Sequence, residues 1–266
     1  MDGNVEYSIV IPTLNEEPII GNVIDRIPPR IRSRGEVILV DASSDRTAEI
    51  ARSRGVRVVR SEKRGKGHQL KLGVRHASGK ILVMMDGDGE HPPEYIPRMI
   101  KKLNHGYDVV VGTRTRGSKK RNALIRLIYS LYLPVIRGLF KGAGVTFRGT
   151  PLSGFRCMRR EVWDSISPRD DEFLLETEMN VKMGESSLRF GEVHIPFVER
   201  HDGMTQSRVF RHGQIRKIFG YILSYILFVR VKSGVTSRYR GYRKELFKPL
   251  WLSIVQFLHR FSRNKT

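Results

Sequence analysis

The stretch VMMDGDGEHPP (residues 83–93) decides how the chain is read. An apolar run ends in three carboxylates on alternate residues, Asp86, Asp88 and Glu90, followed by His91 and two prolines. Acids so spaced are wrong for a buried strand and too dense for an ordinary turn. They either share a divalent cation or form a solvated loop. Oxygen-only donors suit Mg2+ or Mn2+, and no cysteine or paired histidine stands by to suit Zn2+. Gly87 and Gly89 let the backbone approach a ligand closely. Asp-x-Asp alone is a weak signal, and its position after a strand is what strengthens it.

Working outward, KILVMMD (80–86) reads as an almost wholly apolar strand, one of a series with YSIVIPT (7–13), EVILVDASSD (36–45), VRVVR (56–60) and DVVVGTR (108–114). Between them the spacing predicts helices over 15–27, with Asn15 as cap, 46–55, 67–79 and 94–106. Near-continuous apolar strands alternating with helices predict an α/β fold, Rossmann-like, with a mostly parallel sheet covered by helices on both faces. Ligands of such sheets sit at the carboxyl ends of the strands, so TLNE, DASSD and DGDGE fall on one edge.

Farther along, 123–140 reads as an amphipathic helix or two, broken at Pro134, and 150–166 as a loop and a strand–helix element. Residues 171–185 read as a helix carrying Glu176 and Glu178, and 188–201 as a strand. Beyond about 207 the composition turns basic and apolar. The apolar run inside 215–232 falls short of the ~20 residues that span a bilayer. In 248–261, Leu250, Ile254, Phe257, Leu258 and Phe261 recur at helical spacing. Both segments fit C-terminal amphipathic helices lying at a membrane interface; a helical pair packed on the core is an equal alternative for the first. The expected organisation is an α/β domain over 1–207 and a basic interfacial tail over 208–266.

Charge supports that division. Residues 109–160 hold 12 Lys/Arg and no acid, and 208–266 hold 14 with one acid, Glu245. The rest of the chain carries 22 bases against 26 acids. Segregated positive charge points to a polyanionic partner, whether nucleic acid, an anionic membrane surface or a phosphorylated substrate. Charge serving only solubility would be interspersed with acids. Neither basic segment contains a zinc-finger or RNA-binding signature, which argues against nucleic acid. One cysteine, Cys157, suits a reducing compartment, and the acidic N-terminus MDGNVEYSIVIPT is expected to carry no secretory signal. His68, His76, His91 and His105 lack a ligand spacing and read as solvated or loop residues. Ser153 and Cys157 have no identifiable base partner.

IVIPTLNEE, VILVDASSDRTAEIA, RGKGHQLKLGVRHASGKILVMMDGDGEHPPEYIP and DVVVGTR together resemble the family 2 glycosyltransferases of GT-A fold. Within that family the chain is most similar to the dolichyl-phosphate mannose synthases and related polyprenyl-phosphate hexose synthases. SGFR and PFVERHDGMTQS extend the likeness to about residue 207. The resemblance implies a first nucleotide-binding loop of Pro12, Thr13, Asn15 and Glu16. It makes Asp41 the acid that contacts the nucleobase, with Ala42 where a second acid is usual, and Asp45 the acid ending that loop. Lys66 falls where the family meets nucleotide or phosphate. Asp86 and Asp88 match the acids that bind metal and donor, and Glu90 stands where a metal-binding Gln is common. Arg114 matches the arginine that meets the acceptor phosphate, flanked by Arg126 and Ser130. Arg200 and the GMTQS loop resemble the loop that closes over the donor, with Gln206 in place of a lysine.

The implied reaction is transfer of a hexose, with inversion, from a nucleotide sugar to dolichyl or polyprenyl phosphate at the cytoplasmic face of a membrane. It uses Mg2+ or Mn2+, with a membrane-anchoring partner protein as a further expectation. HPPEYIP favours mannose from GDP-mannose. UDP-glucose as donor, or a different acceptor, is the alternative. A lipid phosphate is already ionised, so no strong base is required. Any base would be Asp88 or a carboxylate of 171–185, Glu178 ahead of Glu176.

Overall fold

A computed structural model describes residues 5–114, 123–186, 188–196, 198, 217, 218 and 220–222, and the side chains of 123–132 lie outside that description. Strand β1 (Tyr7–Thr13) leads through α1 (Glu17–Asp25) and the single turn α2 (Pro29–Arg32) to β2 (Gly35–Asp41). Then come α3 (Thr47–Ser53), β3 (Arg57–Arg60), α4 (Lys66–His76) and β4 (Ile81–Met84). A 3-10 turn over Pro93–Tyr95 opens α5 (Ile96–Asn104), followed by β5 (Val109–Arg114), α6 (Ala123–Gly142), β6 (Arg156–Arg159), α7 (Arg160–Ile166), α8 (Leu175–Glu185) and β7 (Phe190–Ile195).

The seven strands lie in the order β3-β2-β1-β4-β6-β5-β7. All pairings are parallel except those of β6, which runs antiparallel to both β4 and β5. The sheet is therefore mostly parallel, as expected, with one reversed strand in its middle. Strand alternation divides the core in two. Ile9, Ile11, Leu39, Val83, Val110 and Cys157 pack on the side of α1, α3 and α5. Their neighbours Val10, Ile38, Val40, Leu82, Met84, Val109 and Met158 pack on the side of α4, α7 and α8. Apolar residues at successive positions are what a sheet covered on both faces requires.

Several boundaries differ from expectation for identifiable reasons. The second strand stops at Asp41, not 45, because its Oδ1 accepts the Ser43 N–H (3.2 Å) and turns the chain. Asn15 does not cap α1: it adopts a left-handed φ of 57° and joins two loops. The α6 helix runs through Pro134 without a break. Proline removes one helical hydrogen bond, and burial of Leu133, Ile136 and Phe140 on the core compensates for it. Residues 171–174 form a turn before α8. Among the described residues no helix is long and apolar enough to cross a membrane. Ile218 and Ile222, one helical turn apart, are buried, which favours packing over an interfacial placement for that turn. The segment 248–261 lies outside the described residues.

Candidate active site

The carboxyl ends of β1, β2 and β4 point the same way, so their loops meet. The β1 and β2 loops are locked together. Thr13 Oγ1 donates to Asp41 Oδ1 (2.9 Å), Asn15 N–H to Ser43 Oγ (2.8 Å), and Ser44 N–H to Asn15 Oδ1 (2.9 Å). Gln69 of α4 donates its Nε2 to the carbonyls of Thr13 (2.8 Å) and Val40 (2.7 Å). Asp45 accepts from the Thr47 N–H (3.0 Å) and hydroxyl (2.5 Å) and from the Glu17 N–H (3.3 Å). Burial would raise its pKa, but those hydrogen bonds hold it below the ordinary value. Asp45 thus ties the starts of α1 and α3. Glu16 is nine-tenths buried, and its N–H donates to Thr47 Oγ1 (3.0 Å).

Asp41 is wholly buried. Besides Thr13 and Ser43, its carboxylate holds the guanidinium of Arg60, at the end of β3, whose NH2 also donates to the Ser43 carbonyl (3.1 Å). Arg60, a residue outside the sequence reading, is therefore part of the Asp41 surroundings.

Beyond β4 the arrangement changes from hydrogen bonds to ion pairs. Lys66, at the start of α4, places its Nζ 2.7 Å from Asp86 and 2.8 Å from Glu176 of α8. Two features bring Glu176 there. Gly65 and Gly67 flank Lys66 and let the 170–171 backbone lie against this turn; a Cβ on Gly67 would stand 2.4 Å from the Asp170 carbonyl. His68 N–H donates to the Asp171 carbonyl (2.9 Å), and Lys63 and Lys71 each reach the Asp171 carboxylate at 2.7 Å. From the far side Gly154 faces the pair, and a Cβ there would meet Lys66 Nζ at 2.6 Å. Gly154 is held by its neighbours. Ser153 Oγ donates to the Gly112 carbonyl (2.6 Å), and buried Arg156 donates to Ser153 O (2.9 Å), Asn180 Oδ1 (2.8 Å) and Pro151 O (3.1 Å). Burial lowers the Arg156 pKa to about 10.

Charge in this centre is self-compensating. Burial would lower the Lys66 ammonium, but Asp86 and Glu176 outweigh it and raise its pKa above the ordinary lysine value. Burial would likewise raise Asp86, but Lys66, then His91 and Arg114, draw it down to about 2. His91 is not solvated: it is 2% exposed and stacked on Phe155 at 5.3 Å between centroids. The Asp86 N–H donates to its Nδ1 (2.9 Å), so its proton sits on Nε2. Burial pushes its pKa down to about 3, and the ring is neutral.

The next pair joins Glu90 to Arg114 at the end of β5. Asp88 Oδ1 accepts the Glu90 N–H (3.1 Å). The alternating acids suit a hard divalent cation in kind, since every donor is oxygen. In arrangement, Asp86 is paired with Lys66 and Glu90 with Arg114, and among the described residues no three His, Cys, Asp or Glu side chains converge on one point.

Of the residues singled out from sequence, Lys66 and Asp86 form one ion-paired group and Glu90 and Arg114 another, with Asp88 on the loop between Asp86 and Glu90, and Pro12, Thr13, Asn15, Glu16, Asp41 and Asp45 lie at the ends of β1 and β2. Arg126 and Ser130 lie on α6 with side chains outside the described residues, as does Arg200. Glu178 accepts the N–H groups of Arg169 and Asp170 (2.8 Å each) and pairs with Lys182 (2.8 Å), whereas Glu176 pairs with Lys66.

A model of glycosyl transferase family 2 matches residues 8–163, more than half the chain. The chain belongs to glycosyl transferase family 2. It is 34% identical, over 73% of its length and 84% of the relative's, to a dolichyl-phosphate hexose transferase of Haloferax volcanii. It is 30% identical to a dolichol-phosphate mannosyltransferase of Pyrococcus furiosus over 73% of this chain, and spans only 56% of that protein. Among solved structures, glucosyl-3-phosphoglycerate synthase from Mycobacterium tuberculosis, in complex with Mn2+, UDP-glucose and phosphoglyceric acid, matches with a TM-score of 0.65. That match is at 25% identity and covers 83% of this chain and 79% of the other. The family fold, GT-A, is the mixed sheet described above.

Proposed function

We propose that this family 2 transferase moves a hexose from a nucleotide sugar to a polyprenyl phosphate such as dolichyl phosphate, with mannose from GDP-mannose as the favoured donor. The observation that carries the reading is the row of opposed charges at the sheet edge, Glu176–Lys66–Asp86 beside Glu90–Arg114. Each cation there is already paired with a carboxylate that an incoming phosphate can replace. The names of the two archaeal relatives support the acceptor class.

The acceptor oxygen is ionised before it binds, so positioning and electrostatics dominate over proton abstraction. A phosphate oxygen forms a bond to the anomeric carbon as the bond to the nucleoside diphosphate breaks, and the electron pair leaves with the diphosphate. Lys66, held protonated by Asp86 and Glu176, meets the charge developing on that leaving group. Arg114, with Arg126 and Ser130, holds the acceptor phosphate against a donor of the same sign. Pro12, Thr13, Asn15, Glu16, Asp41 and Asp45 frame the nucleoside, and Arg200 lies on the loop that closes over it. Asp86 and Asp88 would hold Mg2+ or Mn2+, a use supported by the Mn2+ complex of the solved neighbour. Such an ion offsets charge on the diphosphate. The basic tail from residue 208 delivers this domain to an anionic cytoplasmic membrane surface, alone or with an anchoring protein.

A thermal-shift panel of GDP-, UDP- and CDP-sugars with Mg2+ or Mn2+ tests the donor, because a ligand bound only by the native state raises the melting temperature. Stabilisation by GDP-mannose and transfer to a polyprenyl phosphate are expected. Stabilisation by UDP-glucose alone would replace mannose in the proposal, and no stabilisation by any nucleotide would end it. Removal of residues from 210 onward is expected to leave nucleotide binding intact and reduce liposome association.

A further inference from the structure

We infer that Glu90 belongs to the acceptor side of the site: it holds Arg114 until an incoming phosphate displaces it, and it is not a metal ligand. The inference rests on the reading of Arg114 as the acceptor-phosphate residue. Its starting point is the disposition of the three acids. Asp86 is bound to Lys66, whereas the Glu90 carboxylate is bound to the Arg114 guanidinium, on a different strand end. The Glu90 and Arg114 side chains are 14% and 19% exposed, so the pair is largely withdrawn from water. Gly89, at φ 80°, turns the loop between Asp88 and Glu90, and among the described residues the acids do not converge as three ligands would.

The chemistry of the pair follows from its two members. A guanidinium binds a carboxylate or a phosphate through the same planar fork of N–H donors. Glu90 therefore keeps Arg114 extended and oriented before the acceptor arrives. A ligand that takes Arg114 must replace a carboxylate in a site of low water content. A phosphate monoester brings enough charge to do so, and a sugar hydroxyl does not. Glu90 thereby restricts the acceptor to phosphate-bearing molecules and adds a cost to binding, which its removal would relieve.

The test is isothermal calorimetry with farnesyl phosphate, without metal, and separately with GDP or UDP plus Mn2+, on wild type, Glu90→Gln and Glu90→Asp. Glu90→Gln is expected to bind farnesyl phosphate about threefold to tenfold more tightly, as loss of a competing charge-assisted partner predicts. Its Mn2+-dependent nucleotide affinity should stay within about twofold, and the acceptor KM should fall while the donor KM does not. Glu90→Asp keeps the charge and should resemble wild type in phosphate binding, which separates loss of charge from damage to the fold. A tenfold loss of Mn2+-dependent nucleotide affinity in Glu90→Gln, or unchanged phosphate affinity, overturns the inference. Failure of wild type to bind farnesyl phosphate while binding nucleotide removes the acceptor role of Arg114 and this inference together. The proposed function as a whole fails only if nucleotide sugars do not bind either.

Discussion

The two halves of the site use their acids in opposite ways. At the ends of β1 and β2, Asp45 is satisfied by neutral donors of the adjoining loops, and Asp41 by the hydroxyls of Thr13 and Ser43 and a backbone N–H together with a single cation, Arg60. At the ends of β4 and β5, Asp86, Glu176 and Glu90 are satisfied by the side-chain cations Lys66 and Arg114. Neutral donors fixed by the backbone cannot be handed to a ligand without opening the loop. A lysine or arginine on a long stem can exchange a carboxylate for a phosphate with little movement. On the proposed function, the first half is a frame and the second a place of exchange.

Lys66→Met is the strongest way to break this comparison. It leaves Asp86 and Glu176 as adjacent unpaired carboxylates, and should cost about 3–5 kcal/mol of stability, measured by urea unfolding, together with nucleotide binding. A loss below about 1 kcal/mol would mean that the exchange half does not depend on its cation. Next, Gly154→Ala should cost about 1–3 kcal/mol through overpacking against Lys66 Nζ, and it should weaken nucleotide binding more than a substitution in the frame of equal stability cost. Then the two glutamates of α8 can be set against each other. Glu176→Gln should lower kcat about tenfold, roughly 1.4 kcal/mol of barrier. Glu178→Gln should leave turnover within about twofold and instead lose about 1–2 kcal/mol of stability by weakening the 169–170 cap. Equal effects on turnover would erase the distinction drawn between them.

The smallest effect is a slope. His91 titrates near 3 when folded and near its ordinary value of 6.5 when unfolded. Between these values the unfolded chain binds the extra proton, so stability is full above about 6.5 and falls as pH falls. The slope is about 1 kcal/mol per pH unit. Urea midpoints at pH 6 and 5, above most carboxylate titration, should show that decline in wild type and not in His91→Gln.

Four of the first five strands were legible as apolar runs, the third, RVVR, as a short β-branched segment after Gly55, and their alternation with helices dictated a mostly parallel order. The strand of the 150–166 strand–helix element was legible too, but its reversed direction was not. RCMR carries two arginines, and nothing local says that Arg156 is buried, because its acceptors come from Pro151, Ser153 and, on another helix, Asn180. The acid cluster, Lys66 and Arg114 were legible as a group through the common strand edge. Which acid meets which cation was not. Glu176 and Glu178 stand two residues apart on α8 and are both buried, and only the packing of the 170–171 turn on Gly65 and Gly67 separates their roles. His91 does lie in a loop, but that it is buried was not legible, because its burial depends on Phe155, far along the chain.

The reversed strand has one more consequence. β5 ends at Arg114, β6 begins at Arg156, and the two are paired neighbours, with Val111 opposite Arg156 and the Gly112 N–H donating to the Phe155 carbonyl (2.8 Å). Residues 115–155, which contain α6 with Arg126 and Ser130, therefore leave the sheet and re-enter it side by side. On the acceptor role proposed for Arg114, Arg126 and Ser130, grafting the segment between Arg114 and Pro151 from another family member is expected to change the acceptor, while Gly154 and Phe155 stay in place against Lys66 and His91.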